Sequence, residues 1–496
     1  MRLKLFASRR SVRYRLPPDP NTVPADGLPL PQRYHAMAVI LLGISMAVLD
    51  GSIVNLALPG IVRDLHADAA TAVWIVTAYQ VATLVLLLPC AMLGDLVGHR
   101  RVYLGGLAVF TLASLGCALA PTLTLLVVAR TIQGLGAGGL MSVNGALVRL
   151  TYPARKLGRG IALNSLMVAT ASVAGPSLAA GVLSVASWPW LFAINLPIGI
   201  VVTVLGWKAL PRNTGRRASG ARLAVLDVAL NVLMFGLVAL GLDALGTHLA
   251  GDRSLMHPGA GALLIVAGVV VGVLYMHRQR RQATPLFPLD LLRIRVFALS
   301  MGTSVAAFAA QTLAYVALPF LLLEAYGRSP ATTGLLITAW PIATVVTAPI
   351  AGRLIGRIAD GALGAAGLAL LAIGMALLAS LPAAPSNGDI VWRMAVCGVG
   401  FGLFQSPNNH TILTSAPAQR SGAASGMLGT ARLTGQTSGA VVLAIIFSAF
   451  GAQHAHGPSV ALAIAAGLAA IASVFSGLRV GGGGAAGAVR ENRRPA

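Results

Sequence analysis

Fourteen runs of mostly apolar residues follow one another along this chain, each 19 to 28 residues long. They lie near 37–58, 72–93, 102–120, 122–148, 160–184, 190–209 and 222–244, then near 258–276, 297–322, 331–352, 363–382, 390–414, 423–450 and 458–478. A helix needs about 20 such residues to cross a bilayer, whereas a barrel strand needs only about 9–11. With no water in the hydrocarbon core, backbone polar groups must bond within the segment itself, and a helix achieves that. The chain is therefore expected to be an all-α polytopic membrane protein. Its composition agrees: 56% of the 496 residues are hydrophobic and 10% charged, where soluble domains carry about 25% charged residues. The 57 glycines fall largely inside apolar runs, as expected where membrane helices pack closely.

The charges are unevenly placed. Lys and Arg number 36 against 14 Asp and Glu, a net charge of +22. Such a surplus suits nucleic acid when it forms a basic face on a folded domain. Here it falls in short clusters between apolar runs, which excludes that partner. An even number of spans puts both termini on one side. With both termini inside, thirty of the 36 basic residues become cytoplasmic, among them Arg9, Arg10, Arg100, Arg101, Arg155, Lys156, Arg280 and Arg281. Outer loops keep only Arg63, Arg253 and Arg328. The positive-inside rule fixes that orientation, in a plasma (inner) membrane. Residues 1–35 read as a retained basic cytoplasmic tail, since no short apolar segment with a cleavage site precedes the first span. Cys90, Cys117 and Cys397 lie in apolar runs without paired spacing, so neither a disulfide framework nor a metal cage is expected.

An internal repeat is visible at an offset near 261. Ala91–Gly98 aligns with Gly352–Ala359, and Arg130 with Gly134, Gly136 and Gly138 aligns with Arg393 and Gly398, Gly400 and Gly402. Arg159 before span 5 likewise matches Arg420 before span 13. Spans 1–6 and 9–14 are thus expected to form two related six-helix bundles, over 36–210 and 296–479. Residues 211–295 form an inserted helix pair with its linkers, and 480–496 a flexible cytoplasmic tail.

Of the fourteen acids, only Asp50 lies well inside an apolar run; the rest fall in tails, loops or span ends. A charge at the centre of a membrane helix costs roughly 2.5–3.5 kcal/mol on insertion scales and marks a functional site by default. Asp50 is therefore read as a proton or cation site, the alternative being a polar tie between helices. Arg130 is a second intramembrane charge, of a sign that balances Asp50; Arg393 and Arg432 read as structural. Gly134, Gly136 and Gly139 spell G-x-G-x-x-G, but no strand precedes them, so close helix packing explains the spacing. Without two convergent catalytic groups or a nucleotide-binding loop, neither an enzyme nor a nucleotide-driven pump is expected. Nor is any cofactor or metal site.

These residues resemble a known family, the fourteen-span drug:proton antiporters of the major facilitator superfamily. Leu49-Asp50-Gly51-Ser52-Ile53-Val54-Asn55-Leu56-Ala57-Leu58-Pro59 is similar to its first-span motif L-D-x-T-I-V-N-V-A-L-P. Leu93-Gly94-Asp95-Leu96-Val97-Gly98-His99-Arg100-Arg101 resembles the loop signature G-x-L-A-D-R-x-G-R-R, with Ala91 and Leu96 as departures. Arg130-Thr131-Ile132-Gln133-Gly134-Leu135-Gly136 resembles the span-4 motif, and Gly175-Pro176 opens the antiporter motif of span 5. There Ala179-Ala180 replace the usual glycine pair, and Trp188-Pro189-Trp190 replaces W-R-W before span 6. Leu286-Phe287-Pro288-Leu289 and Phe404-Gln405-Ser406-Pro407-Asn408-Asn409 also fit.

The resemblance implies a central cavity between two bundles, alternating access, and export of amphipathic cationic drugs against protons by a monomer. Asp50 would be the proton site facing that cavity, supported by Arg130. Asp95, Gly98 and Arg100 would form a cytoplasmic gate, and Gly175 and Pro176 would shape the packing of span 5. Asn55, Gln133, Gln405 and Asn408 would line the cavity. The alternatives are a dedicated proton-coupled exporter of one metabolite or antibiotic, and, more remotely, an intramembrane enzyme or a membrane scaffold.

Overall fold

The computed structural model describes residues 27–212, 225–249, 258–280, 288–416, 421–452 and 455–480. Most of the basic tail, both inter-span linkers and the glycine-rich end lie outside these residues, as do Leu286 and Phe287. Among the described residues the chain is helical throughout. The long helices are α1 (Gln32–Asp64), α2 (Ala69–Val97), α3 (His99–Ala118), α4 (Leu123–Thr151), α5 (Leu157–Val185), α6 (Pro189–Ala209) and α7 (Val225–Leu249). They continue as α8 (Pro258–Gln279), α9 (Arg295–Ala325), α10 (Pro330–Leu354), α11 (Asp360–Ala379), α12 (Asn387–Ser415), α13 (Ser421–Phe450) and α14 (His456–Gly477). Eleven of them are long and apolar enough to cross a membrane by length and composition. The others are α5, α7 and α12; α12 carries Arg393, Gln405, Asn408, Asn409 and His410, which lower its hydropathy.

The sequence marks where these helices begin. The Asp68 carboxylate accepts bonds from the amides of Ala70 and Thr71 at the start of α2, and Thr122 Oγ1 caps Leu125 in α4. Ser329 and Ser386 do the same for Thr332 in α10 and Asp389 in α12. Each satisfies amides that the first helical turn leaves unpaired. Gly98 separates α2 from α3 with φ +103°, a backbone region that glycine enters without steric cost.

The packing repeats as the sequence repeat foretells. A Cβ on Gly136 of α4 would lie 2.5 Å from Phe110 N of α3, and one on Gly400 of α12 would lie 2.5 Å from Leu371 N of α11. Thr83 Oγ1 bonds the carbonyls of Tyr79 and Gly134, while Thr344 Oγ1 bonds those of Trp340 and Gly398. In both places small residues let two backbones approach, as in other membrane helix pairs.

A continuous apolar cluster joins the end of α1 (Ile53, Leu58, Ile61) and the start of α2 to the end of α9 (Leu313, Phe320) and to α13 (Leu443, Phe447). It closes the end of the bundle opposite the chain termini. At the terminal end the buried residues fall in separate clusters. One is built on α1, α3, α4 and α6 around Tyr103 and Leu147, and the other on α9, α12 and α13 around Phe297 and Met427. Leu84 and Leu87 of α2 reach Leu433 of α13 between them.

The glycine contact sets a stability prediction. Gly136→Ala drives a Cβ into backbone that cannot move aside and is expected to cost about 1–3 kcal/mol, as overpacking does. Gly145→Ala, whose Cβ would meet nothing within 4 Å, leaves stability unchanged or raises it through helix propensity. Thermal unfolding of the detergent-solubilised protein separates the two; equal melting temperatures would contradict this packing.

Candidate functional site

Asp50, midway along α1, is buried and ion-paired with Arg130 of α4, with side chains that are each 1% exposed. Gln133, one turn beyond Arg130, donates from Nε2 to Asp50 Oδ1 at 2.8 Å, and Asn195 Nδ2 of α6 donates to the same oxygen at 2.9 Å. Ser114 Oγ of α3 accepts from Gln133 at 2.8 Å. Arg130 also donates to Gln133 Oε1 at 2.6 Å and, through Nε, to the carbonyl of Ile75 at 3.1 Å. Its guanidinium carbon stands 4.2 Å from the Tyr79 ring centroid. Five helices thus contribute to one buried network around the ion pair. A buried ion pair survives only when its remaining lone pairs and protons are satisfied in this way.

Beside this network lies a central cavity of about 740 Å³, walled by α1, α2, α4 and α5 on one side and α9, α10, α12 and α13 on the other. Arg130 lines it and Asp50 does not. The carboxylate therefore sits behind its guanidinium, which corrects the expectation that Asp50 itself faces the cavity. Asn55 and Gln405 line this cavity. Gln133 and Asn408 do not: Gln133 is taken up by the Asp50 network, and Asn408 bonds Ser304 at 2.7 Å and Arg479 at 2.7 Å. Burial pushes the Arg479 guanidinium, just past the end of α14, down to about 10, against the pull of Asp360.

Arg432 corrects a second expectation. The sequence suggests a structural arginine, yet it lines the cavity with its guanidinium 5.5 Å from the Phe308 ring centroid. Arg393 is structural: it pairs with Asp389 at 3.1 Å and bonds the Leu377 carbonyl.

The gate residues occupy the terminal end. Asp95 has a 77% exposed side chain and meets His99 at 3.4 Å. Arg100 bonds the carbonyl of Trp207 and stacks on its ring at 5.7 Å. The structure therefore does not pair Asp95 with Arg100. A Cβ on Gly175 would collide with Ser52 of α1, and one on Gly334 of α10 would lie 2.8 Å from the Pro176 carbonyl. Gly175 and Pro176 thus seat α5 between α1 and α10. Ser177 and Thr338 share a 2.8 Å hydroxyl bond across the α5–α10 contact. Ala179 and Ala180 are buried in the same interface. Sequence reasoning did not single out Ser114, Tyr79 or Asn195 as members of the network around Asp50 and Arg130; Asn195 carried a signal, as the one polar residue in Phe192-Ala193-Ile194-Asn195-Leu196-Pro197.

A helical bundle of membrane-spanning length around a central cavity of mixed polar and apolar lining, with a buried charge pair at its wall, is the architecture of a secondary transporter. The family model of the Major Facilitator Superfamily matches residues 40–436 and 299–485, and the chain belongs to that family. It is 53% identical to the uncharacterized transporter YebQ of Escherichia coli (strain K12), over 92% of this chain and 98% of that protein. It is 32% identical to the multidrug resistance protein Stp of Mycobacterium tuberculosis (strain CDC 1551 / Oshkosh), over 82% of this chain and 75% of that one. Among solved structures, a POT family transporter in complex with 5-aminolevulinic acid shares the fold, with TM-score 0.68 and 13% identity over 88% of this chain and 94% of that one.

The buried pair predicts an asymmetry between variants. Arg130→Met leaves Asp50 charged and uncompensated, a loss on the order of 3–5 kcal/mol. Asp50→Leu combined with Arg130→Met removes both charges and is expected to restore much of that stability. Thermal unfolding in detergent measures both, and a double variant no more stable than the single would contradict the pair as described.

Proposed function

We propose that this transporter exports amphipathic small molecules in exchange for protons, by alternating access between two six-helix halves over 36–210 and 296–479. The observation that carries the reading is the Asp50–Arg130 pair, of which only Arg130 reaches the cavity. A proton on Asp50 cancels the charge that holds Arg130 and frees the guanidinium for the cavity. Loss of the proton draws it back. Charge in the substrate path is thereby tied to the protonation of one carboxylate, which is the requirement for coupling two fluxes without nucleotide hydrolysis. The multidrug role in the name of Stp supports a drug-sized cargo, as does the volume of the cavity, since ligand pockets run about 300–1,000 Å³.

In this reading α1–α14 all cross a plasma (inner) membrane, with both termini in the cytoplasm and 211–295 as an inserted helix pair. The cluster joining α1, α2, α9 and α13 then closes the outer face, and the conformation is inward-facing. Asp95, Gly98 and Arg100 form the turn that closes the cytoplasmic face in the opposite state. Gly175 and Pro176 keep α5 packed where the outer face must reopen. One chain contains the whole path, so the monomer is the working unit.

Everted membrane vesicles, acidified inside, test this. Adding aromatic probes of several charges should dissipate the gradient for at least one probe with the wild-type protein. Asp50→Asn, present in the membrane at the same level, should abolish that response by more than about tenfold, the loss expected when a transition-coupled charge is removed. Equal dissipation by both would contradict proton exchange through Asp50.

A further inference from the structure

We infer that the cargo carries an acidic group and that Arg432 of α13 holds it, an inference that rests on the export reading above and specifies its substrate class. No Asp or Glu among the described residues lines the cavity, while two arginines do. They are not equivalent. Arg130 is neutralised by Asp50, bonded to Gln133 and Ile75, and stacked on Tyr79. Arg432 makes no hydrogen bond and no ion pair among the described residues; its guanidinium stands over the Phe308 ring. The cavity wall therefore carries an unbalanced positive charge, at a site where a lone guanidinium is costly unless something pairs with it.

Guanidinium offers a planar fork of donors that matches a carboxylate, sulfonate or phosphate through two parallel bonds. The surroundings suit the rest of such a molecule. Phe308, Tyr315 and Phe401 supply aromatic surface, and Gln311, Gln405 and Gln436 supply amides able to donate or accept. Asn55 Oδ1 and Gln80 Oε1, on the opposite wall, are buried acceptors without a hydrogen-bond partner, ready for hydroxyl or N–H groups. The arrangement fits an aromatic body with an acidic head at Arg432 and donor groups toward α1 and α2. A cationic cargo would meet like charge there and find no carboxylate, since Asp50 is covered.

The sign has a consequence for energetics. A monovalent anion leaving while a proton enters moves two charges in the direction that an inside-negative potential favours. A monovalent cation exchanged for one proton moves none.

The test uses the purified full-length protein in liposomes and three probes on one aromatic body: naphthalenesulfonate, the neutral naphthalenesulfonamide and naphthyltrimethylammonium. The expected result is proton-coupled transport of the sulfonate, accelerated by an imposed inside-negative potential. Arg432→Gln should raise its half-saturation concentration about tenfold or more, as loss of a charge-assisted pair does, and leave the sulfonamide within about twofold, the size of ordinary context effects. Arg432→Lys should recover part of the loss, because it restores the charge without the fork. Transport of the ammonium but not the sulfonate overturns the inference, and so does an Arg432→Gln effect equal for every transported probe. Transport that ignores Asp50→Asn contradicts the export reading instead, whichever probe is carried, so the two failures are distinguishable.

Discussion

The ion pair between Asp50 and Arg130 is the constraint on which the rest of this structure depends. Removing two charges from water carries an effective penalty of several kcal/mol per ion, and mutual attraction offsets it only when the geometry is good and every other polar atom is satisfied. The protein meets that requirement by bringing five helices to one point: α1 for the carboxylate, α4 for Arg130 and Gln133, α6 for Asn195, α3 for Ser114 and α2 for Ile75 and Tyr79. The five helices contribute groups from residues 50 to 195, so the network exists only once those helices have packed together. A charge held this tightly is a poor general binding site; in the proposed exchange it serves as a switch, because one proton would remove the reason for the arrangement.

Close helix approach makes the convergence possible. Gly106 and Gly136 bring α3 against α4, and Gly367 with Gly400 does the same for α11 and α12. The second half repeats the scaffold without repeating the charge pair. Position 393, which the repeat aligns with Arg130, is an arginine satisfied by Asp389 on its own helix. The cavity-facing cation of the second half stands instead on α13, as Arg432. The α3–α4 and α11–α12 contacts thus share a packing plan while the charges differ, with a buried ion pair at Arg130 and, among the described residues, a cation without an ion-pair partner at Arg432. The apolar cluster at the end opposite the termini holds them together while the terminal ends remain in separate clusters.

Much of this was legible in the sequence, for identifiable reasons. Apolar run length is a direct consequence of bilayer thickness, so the helices follow from it, and their starts lie within three residues of the runs at the caps that Asp68, Thr122, Ser329 and Ser386 supply. Asp50 and Arg130 stood out because charges are rare in such runs. The direction of a side chain was not legible. Helical periodicity cannot say whether Gln133 points to a cavity or to a carboxylate, nor whether Asn408 meets solvent or Arg479, because the partners lie on other helices. Arg432 was misread for the same reason: an arginine near a span end usually reaches the membrane surface, and only the packing of α13 against α2 and α9 turns it inward. The polarity of α12 carried a usable signal, since a helix with Gln405, Asn408 and Asn409 in its middle needs polar surroundings.

The most direct measurement of the central claim is an infrared titration of the purified transporter, following the carboxylic-acid C=O stretch as the pH is lowered. The account predicts a band that is present in the wild type, absent in Asp50→Asn, and shifted in midpoint when a transported molecule occupies the cavity, because the cargo stands in the same cavity that Arg130, the partner of Asp50, lines. A titration with no band assignable to Asp50, or with the same midpoint whether the cavity is filled or empty, would contradict it.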